Sequence, residues 1–198
     1  MPLNLFIIGP SGCGKSTQAK LIAEKYNLTH YSMGQIFRDE IASNSDLGLK
    51  AKSFVDKGTP VPDEVVFPLI TQALEKINNQ NYIFDGFPRL VTQGEYIDDY
   101  LVQKGHSTSM VIHLLVDFLE IVRRRQKKGI EFQDQSRSDN TPEAIANRQK
   151  ILYQQGIGPI LERYQKLQKL YEVDGNRPIE PIFADISVQI DKLLGSKS

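Results

Sequence analysis

Eight residues near the start of the chain have the types and spacing of a phosphate-binding loop. They are Gly9-Pro10-Ser11-Gly12-Cys13-Gly14-Lys15-Ser16, which fit the pattern G-x-x-x-x-G-K-[ST] and follow an apolar run. Glycines let successive backbone N–H groups point into one concavity, and a helix starting near Lys15 adds the positive end of its dipole. The Lys15 ammonium can reach the β- and γ-phosphates of a nucleotide, and the Ser16 hydroxyl can ligate Mg²⁺. The residues predicted to bind a nucleoside triphosphate are Gly9, Gly12, Cys13, Gly14, Lys15, Ser16 and Thr17.

A carboxylate, Asp85, follows a second apolar run, Tyr82-Ile83-Phe84. At the carboxyl end of a buried strand, such a side chain can hold Mg²⁺ through the water shell that this ion usually keeps. A turn or helix-capping aspartate is the alternative interpretation. Ser16 and Asp85 are therefore the predicted magnesium site, whereas the single cysteine and three scattered histidines have no zinc-site spacing.

Alternating strand and helix patterns position these residues. Four short apolar segments are predicted to be strands: Leu3–Ile8, Tyr82–Phe84, Met110–Val116 and Leu170–Val173. Helical periodicity runs through Lys15–Tyr26, Thr92–Gln103, Phe118–Lys128, Pro142–Leu167 and Pro181–Leu194. This alternation predicts a three-layer α/β/α fold with a parallel sheet of about five strands, in which ligands lie beyond the carboxyl ends of the strands.

Two segments depart from this alternation. Residues 31–62 have a largely helical pattern, and residues 129–140 are polar with few apolar side chains. We predict that both are insertions over the site of a single domain, whose core comprises residues 1–30, 63–128 and 141–198. For the second segment, a disordered surface loop is the alternative.

The overall composition is that of an ordinary globular protein of 198 residues, with 40% hydrophobic content. Its 24 basic and 24 acidic residues balance, so no net field favours a nucleic acid or a membrane as partner. A single cysteine cannot form an internal disulfide, and the opening apolar run lacks the features of a signal peptide. These properties predict a cytoplasmic protein.

The pentapeptide Asp85-Gly86-Phe87-Pro88-Arg89 adds a second specific motif to the phosphate-binding loop. Together the two motifs resemble the adenylate kinase family of nucleoside monophosphate kinases. Further segments are similar to motifs of that family and follow the same order: Tyr31–Arg38, Gly58–Glu64, Arg137–Asn140 with Arg148, and Val173–Pro178. Each segment alone is a weak signal, but their order along one chain is a strong one.

The resemblance implies reversible, Mg²⁺-dependent transfer of the γ-phosphoryl group of ATP to AMP, giving two ADP, by a monomer. Arginine suits this reaction because its planar fork contacts two phosphate oxygens at once and keeps its charge. By the resemblance, Arg38 and Arg89 would hold the acceptor phosphate, and three further arginines would close on the donor phosphates. The catalytic residues implied are Lys15, Arg89, Arg124, Arg137 and Arg148.

The resemblance also implies the remaining nucleotide contacts. Arg124, chosen from the triplet 123–125 because it lies five residues before Gly129, and Arg177 would bind ATP. The implied AMP contacts are Met33, Gly34, Arg38, Val61, Gly86, Arg89, Gln93, Arg137 and Arg148. The Gln93 amide would read the adenine edge by a bidentate pair, and an ordinary helix-surface residue is the alternative. The segment 129–140 resembles the short lid of the family, so no zinc is expected.

Four residues depart from the family pattern. Ser16 replaces a glycine and supplies the magnesium-binding hydroxyl, Lys128 replaces an arginine, Met33 stands where threonine is typical, and Gln35 replaces an aspartate. Met33 and Gln35 leave the acceptor base open, and a UMP or CMP kinase is the alternative within the same class. A small-metabolite kinase and a catalytically weak nucleotide-binding protein are alternatives of other kinds. The arginine set favours the kinase, because a one-site sensor has no need of Arg38 and Arg89.

Overall fold

A parallel five-stranded sheet lies at the centre of the described part of the chain, with strand order β2-β3-β1-β4-β5. The computed structural model describes residues 2–10, 12–57, 59, 61–117, 119–124 and 157–195. The strands are β1 (Asn4–Ile8), β2 (Thr29–Ser32), β3 (Tyr82–Asp85), β4 (Met110–Leu115) and β5 (Leu170–Asp174). Every neighbouring pair is parallel, so all five carboxyl ends meet at one edge of the sheet. The predicted fold class is confirmed.

Helices connect the strands and cover both faces of the sheet. They are α1 (Lys15–Tyr26), α2 (Met33–Ala42), α3 (Asp46–Lys57), α4 (Asp63–Glu75), α5 (Val91–Gln103), α6 (Gly158–Lys166) and α7 (Ile179–Gly195). Residues 119–124 are also helical. Among the helices of the described ranges, none has the length and hydropathy needed to cross a membrane.

Most of the predicted elements are confirmed to within one or two residues. The four predicted strands correspond to β1, β3, β4 and β5, and three predicted helices correspond to α1, α5 and α7. The helix predicted over residues 118–128 is described only at 119–124, and the one predicted over 142–167 only at its end, which contains α6. The other parts of those two predictions lie outside the described residues.

Two elements were not expected from the sequence. Strand β2 has no aliphatic residue and lies at the edge of the sheet, where all four of its residues are half-buried, so it lacks an apolar run. It includes Tyr31 and Ser32, which the predicted domain division places in the first insertion. Helix α4 contains Pro68, a residue that usually interrupts a helix because it lacks a backbone N–H. The buried face of α4, formed by Val65, Val66, Leu69 and Ile70 among others, stabilises it nevertheless.

Alternate side chains of β1 belong to two hydrophobic clusters, one on each face of the sheet. Phe6 and Ile8 pack on the side of α4 and α5, where Phe6 meets Phe84 at a ring-centroid distance of 6.1 Å. Leu5 and Ile7 pack on the side of α1 and α7. All five residues of β1 are buried because helices cover both faces. This packing fixes the positions at which β1 and β3 end, where the predicted site residues lie.

Candidate active site

The loop between β1 and α1 has the backbone that its glycines predict. Gly9, Gly12 and Gly14 have φ values of 146°, 91° and 107°, a region that side-chain-bearing residues rarely adopt. A Cβ atom on Gly9 would also lie 3.0 Å from the Leu114 carbonyl oxygen. Gly14 caps α1, whose first turn contains no acidic residue. The loop and the helix N-terminus therefore form a concavity suited to an anion.

The Lys15 side chain folds back over this loop. Its Nζ atom donates a hydrogen bond to the Pro10 carbonyl oxygen at 2.8 Å and lies 3.8 Å from Cys13 Sγ. Cys13 itself is only 1% exposed and belongs to the hydrophobic cluster on the α1 side of the sheet. The ammonium thus lies at the loop, where phosphate oxygens can replace the carbonyl as its partner.

Ser16 and Asp85 come together across the ends of two neighbouring strands. Asp85 is the last residue of β3, pairs with Ile7 of β1, and is 4% exposed. The Ser16 hydroxyl, in the first turn of α1, donates a hydrogen bond to Asp85 Oδ2. Hydroxyl and carboxylate oxygens are ligands that Mg²⁺ accepts alongside water and phosphate, so this pair fits that ion. Within the described ranges, no three His, Cys, Asp or Glu side chains are arranged to hold a metal.

A cavity of about 540 Å³ opens beside the loop. It is bounded by the loop and α1 on one side, and by the turn after β5 and the start of α7 on the other. Six of the residues predicted to bind ATP line it: Gly12, Cys13, Gly14, Thr17, Arg124 and Arg177. Lining residues that the sequence did not single out include Gln18, Glu120, Asn176 and Ile179. The types of these residues did not indicate a role at the cavity, because only the fold brings their separate segments together.

Arg124 and Arg177 are both held by acceptors of the protein itself. Arg124 donates to the carbonyl oxygens of Cys13 and Gly175, each at 2.7 Å. Arg177 donates to Asp185 Oδ2 at 2.7 Å and to the Asp174 carbonyl oxygen at 3.2 Å. The two guanidinium groups therefore have defined positions at the wall of the cavity.

The predicted acceptor-side arginines are exposed and follow the two neighbouring strands β2 and β3. Arg89 Nε donates to the Gly86 carbonyl oxygen at 2.9 Å, in a turn that Gly86 forms with a φ of 81°. Arg38, on α2, donates to Gln35 Oε1 at 2.7 Å. Since Ser32 at the end of β2 pairs with Asp85 at the end of β3, α2 begins one strand away from the loop that follows β1. Arg137 and Arg148 lie outside the described residues.

Met33 and Val61, both predicted to contact AMP, are buried in the same hydrophobic cluster as Phe84 and Phe87. Met33 is 2% exposed and is the first residue of α2, and Val61 is 7% exposed just before α4. Gly34 follows Met33, and a Cβ atom there would lie 3.4 Å from a terminal nitrogen of Arg38. Met33 and Gly34 therefore lie where β2 ends, next to the end of β3, and Val61 joins them through the shared cluster.

Gln93 is buried and links three segments. Its Oε1 accepts a hydrogen bond from the Arg89 backbone N–H, and its Nε2 donates to Asp63 Oδ1, each at 2.9 Å. Thr92 donates to the other oxygen of the same carboxylate, Asp63 Oδ2, at 2.6 Å. Asp63 received no role from the sequence, although it lies in the segment Gly58–Glu64 that carries a family motif. It fastens the start of α5 to the start of α4.

Two histidines near the strand ends have a lowered pKa. Burial lowers the pKa of His113, and the carboxylate of Glu172, whose Oε1 lies 2.9 Å from His113 Nδ1, opposes this effect. Burial likewise lowers the pKa of His30, whose Nε2 has no hydrogen-bond partner within the described part of the chain. Asp85 raises the pKa of His30 by a smaller amount. Both imidazoles are therefore favoured in the neutral form.

The glycine-rich loop between β1 and α1, with Lys15 over it and a parallel sheet behind it, defines a P-loop nucleotide-binding protein. The family model for adenylate kinase matches residues 7–169. The chain is 40% identical over 198 residues to the adenylate kinase of Trichodesmium erythraeum, covering 96% of this chain and 99% of that protein. The chain belongs to the adenylate kinase family and is thus a nucleoside monophosphate kinase, a phosphotransferase.

Two further relatives agree with this assignment. The adenylate kinase of Azobacteroides pseudotrichonymphae is 38% identical over 192 residues, which are 96% of this chain and 98% of that protein. Adenylate kinase 1 of Synechocystis is 38% identical over 187 residues, which are 94% of this chain and 96% of that protein. The predicted family and enzyme class are confirmed, and a nucleotide sensor without phosphoryl transfer is not favoured.

Proposed function

We propose that this protein transfers the γ-phosphoryl group of Mg²⁺-ATP reversibly to AMP, giving two ADP, as a cytoplasmic monomer. One structural observation supports the proposal in addition to membership of the family. The Ser16–Asp85 hydrogen bond joins the P-loop to the end of β3, four residues before Arg89. A donor phosphate chain on the loop and an acceptor phosphate on Arg89 would therefore meet at one place.

The donor side is the cavity beside the P-loop. Lys15 would exchange its bond with the Pro10 carbonyl for the β- and γ-phosphates, and the backbone N–H groups of the loop would hold the same oxygens. Ser16 and Asp85 would hold Mg²⁺, which neutralises charge on the phosphate oxygens when it is bound. The base of ATP would lie beside Arg177, against the start of α7, and Arg124 would reach the donor nucleotide from the facing wall of the cavity.

The acceptor side lies between α2, α4 and the turn after β3. Arg38 and Arg89 would bind the AMP phosphate, Met33, Gly34 and Val61 would surround the base, and Gly86 gives the turn its shape. The attacking phosphate oxygen is already anionic, so no general base is required and the residues act by charge and alignment. Arg137, Arg148 and the segment 129–140 would close over the reacting phosphates and exclude water.

Product formation from Mg²⁺-ATP with AMP, CMP, UMP, GMP or dTMP, offered separately and resolved by chromatography, tests this function. We expect ADP from AMP far faster than transfer to any other acceptor. A preference for CMP or UMP would make Met33 and Gln35 determinants of a different specificity. No transfer to any acceptor would contradict the proposal.

Binding of a bisubstrate analogue, two adenosines joined by five phosphates, tests the two-site arrangement without turnover. With both sites present, calorimetry should give one analogue per protein and an affinity well above that of ATP, because linking the two halves makes the second binding event intramolecular. An affinity equal to that of ATP would indicate a single site.

A further inference from the structure

The Arg124 guanidinium bridges the two walls of the cavity. One terminal nitrogen donates to the Cys13 carbonyl oxygen of the P-loop at 2.7 Å. The other donates to the Gly175 carbonyl oxygen, in the turn between β5 and α7, also at 2.7 Å. These acceptors are separated from Arg124 by 111 and 51 residues. The bridge therefore sets the distance between the loop and the turn, and with it the width of the cavity.

The third nitrogen of the same guanidinium is held by Glu120. Arg124 Nε donates to Glu120 Oε1 at 2.8 Å, one helical turn earlier in the segment 119–124. The group is planar and rigid, so an acceptor on Nε determines where the two terminal nitrogens point. Both side chains are only 24% exposed, so water and salt screen this ion pair less than they screen a pair on the surface.

The turn at Gly175 has little room to move. A Cβ atom there would lie 2.5 Å from Val116 Cγ2 and 3.1 Å from the Leu115 carbonyl oxygen. The Gly175 N–H also donates to the Leu115 carbonyl oxygen at 2.6 Å. Since this wall is fixed by the end of β4, a displaced Arg124 would release the P-loop wall instead.

We propose that Glu120 is a positioning residue of the donor site: it orients Arg124 so that the cavity is already formed before ATP binds. The proposal rests on the proposed function in one respect, that this cavity takes the donor nucleotide. A preformed site binds more tightly because less ordering remains to be done on association. Glu120 should therefore affect the affinity for ATP and leave the acceptor site unchanged.

The test compares Glu120→Ala with Arg123→Gln. Arg123 donates to the same carboxylate, at Glu120 Oε2, at 3.3 Å, but its side chain is 81% exposed and is not among the residues that line the cavity. We expect Glu120→Ala to raise the Kd and the KM for ATP about tenfold, because a change of this size corresponds to the loss of one hydrogen bond between charged groups. The KM for AMP should stay within about twofold, and Arg123→Gln should match the wild type.

Two further variants keep the interpretation specific. Glu120→Gln retains an acceptor for Arg124 Nε and should therefore restore most of the ATP affinity. If Glu120 had only a general structural role, this recovery would not be expected. In an Arg124→Gln background, adding Glu120→Ala should cost little more, because the residue it orients is already gone. Additive losses, equal effects of Arg123→Gln, or an unchanged Kd for ATP in Glu120→Ala would each overturn the proposal.

The Kd for ATP is measured by calorimetry without an acceptor, with the thermal midpoint recorded for each variant. It therefore tests Glu120 even if the wild-type protein transfers no phosphoryl group, an outcome that would contradict the proposed function alone. A normal thermal midpoint with a raised Kd supports the positioning role. A raised KM for AMP in equal proportion would overturn it, since the acceptor site lies on α2 and α4.

Discussion

Gln93 shows how one side chain can connect the fold to the proposed acceptor site. Both ends of its amide already have a partner, Arg89 N–H for the oxygen and Asp63 for the nitrogen. An amide oxygen has a second lone pair and an amide nitrogen a second hydrogen. These remaining positions are the ones that a bidentate pair with adenine would need. The packing of α5 thus presents the amide in a fixed orientation.

We predict that Gln93→Ala reduces kcat/KM for AMP at least tenfold, while the KM for ATP changes little. The physical reason is that a base edge left without its partner in a desolvated site loses the full value of two hydrogen bonds. Steady-state kinetics with varied AMP and saturating ATP measures the effect.

Thr92→Val is the matched control for this variant, because it removes the neighbouring bond to the same Asp63 carboxylate without altering the amide. A loss of AMP selectivity equal to that of Gln93→Ala would mean that anchoring α5 to α4, and not reading the base, accounts for the effect.

At this scale, type and spacing predicted the P-loop and singled out Ser16 and Asp85, which the fold brings into contact, because each of the two motifs is local in the chain. The partners of Arg124 could not be predicted in the same way. Cys13 and Gly175 contribute carbonyl oxygens, which every residue carries, and only the folded sheet brings them to one guanidinium. Glu120 is four residues from Arg124, a spacing common on helix surfaces, so its position beside the cavity gave no signal.

At the scale of the elements, α2 and α3 approach each other closely at Gly48. A Cβ atom there would overlap the Glu40 carbonyl group and lie 2.7 Å from the Ile41 nitrogen. Gly48 is a helical residue of α3, so neither a turn nor a left-handed backbone conformation requires a glycine there. The absence of a side chain is what lets the two helices cross, and α2 carries Met33, Gly34 and Arg38.

Gly48→Ala should therefore destabilise the protein and weaken AMP binding together. Overpacking of this kind costs about 1–3 kcal/mol, which corresponds to a thermal midpoint roughly 5 °C lower in a domain of this size. Calorimetric unfolding and the KM for AMP check the two effects.

Gly195→Ala provides the comparison for that variant, since a Cβ atom on Gly195 meets no atom within 4 Å. We expect its thermal midpoint to match that of the wild type. If Gly48→Ala unfolded at the same temperature as Gly195→Ala, the α2–α3 crossing would have to be looser than the structure indicates.

Elements with a clear apolar pattern were predicted well, and the two exceptions have physical reasons. The interior strands β1, β3 and β4 are buried by helices on both faces, so their sequences are nearly continuous apolar runs. Edge strand β2 takes its stability from pairing with β3 and needs no such run. In α4, packing outweighs the bond lost at Pro68, which local propensity alone does not anticipate.

For the molecule as a whole, burial of neutral imidazoles in the sheet makes stability depend on pH. The pKa of His30 in the folded state lies below its ordinary value of 6.5, because burial disfavours the charged form. The carboxylate of Asp85 opposes this shift and the ammonium of Lys20 adds to it, both by smaller amounts. Below about pH 6.5 the unfolded chain therefore binds a proton at this residue more readily than the folded protein does.

The free energy of unfolding should therefore fall as the pH is lowered through 6.5 towards the lower pKa of the folded state, and recover as the pH is raised. Urea unfolding of His30→Gln at pH 7.5, 6.5 and 5.5 should show a shallower loss than the wild type, since one buried proton acceptor is gone. A wild-type slope in His30→Gln would assign the acid sensitivity to other groups, His113 first among them, because burial lowers its pKa in the same way.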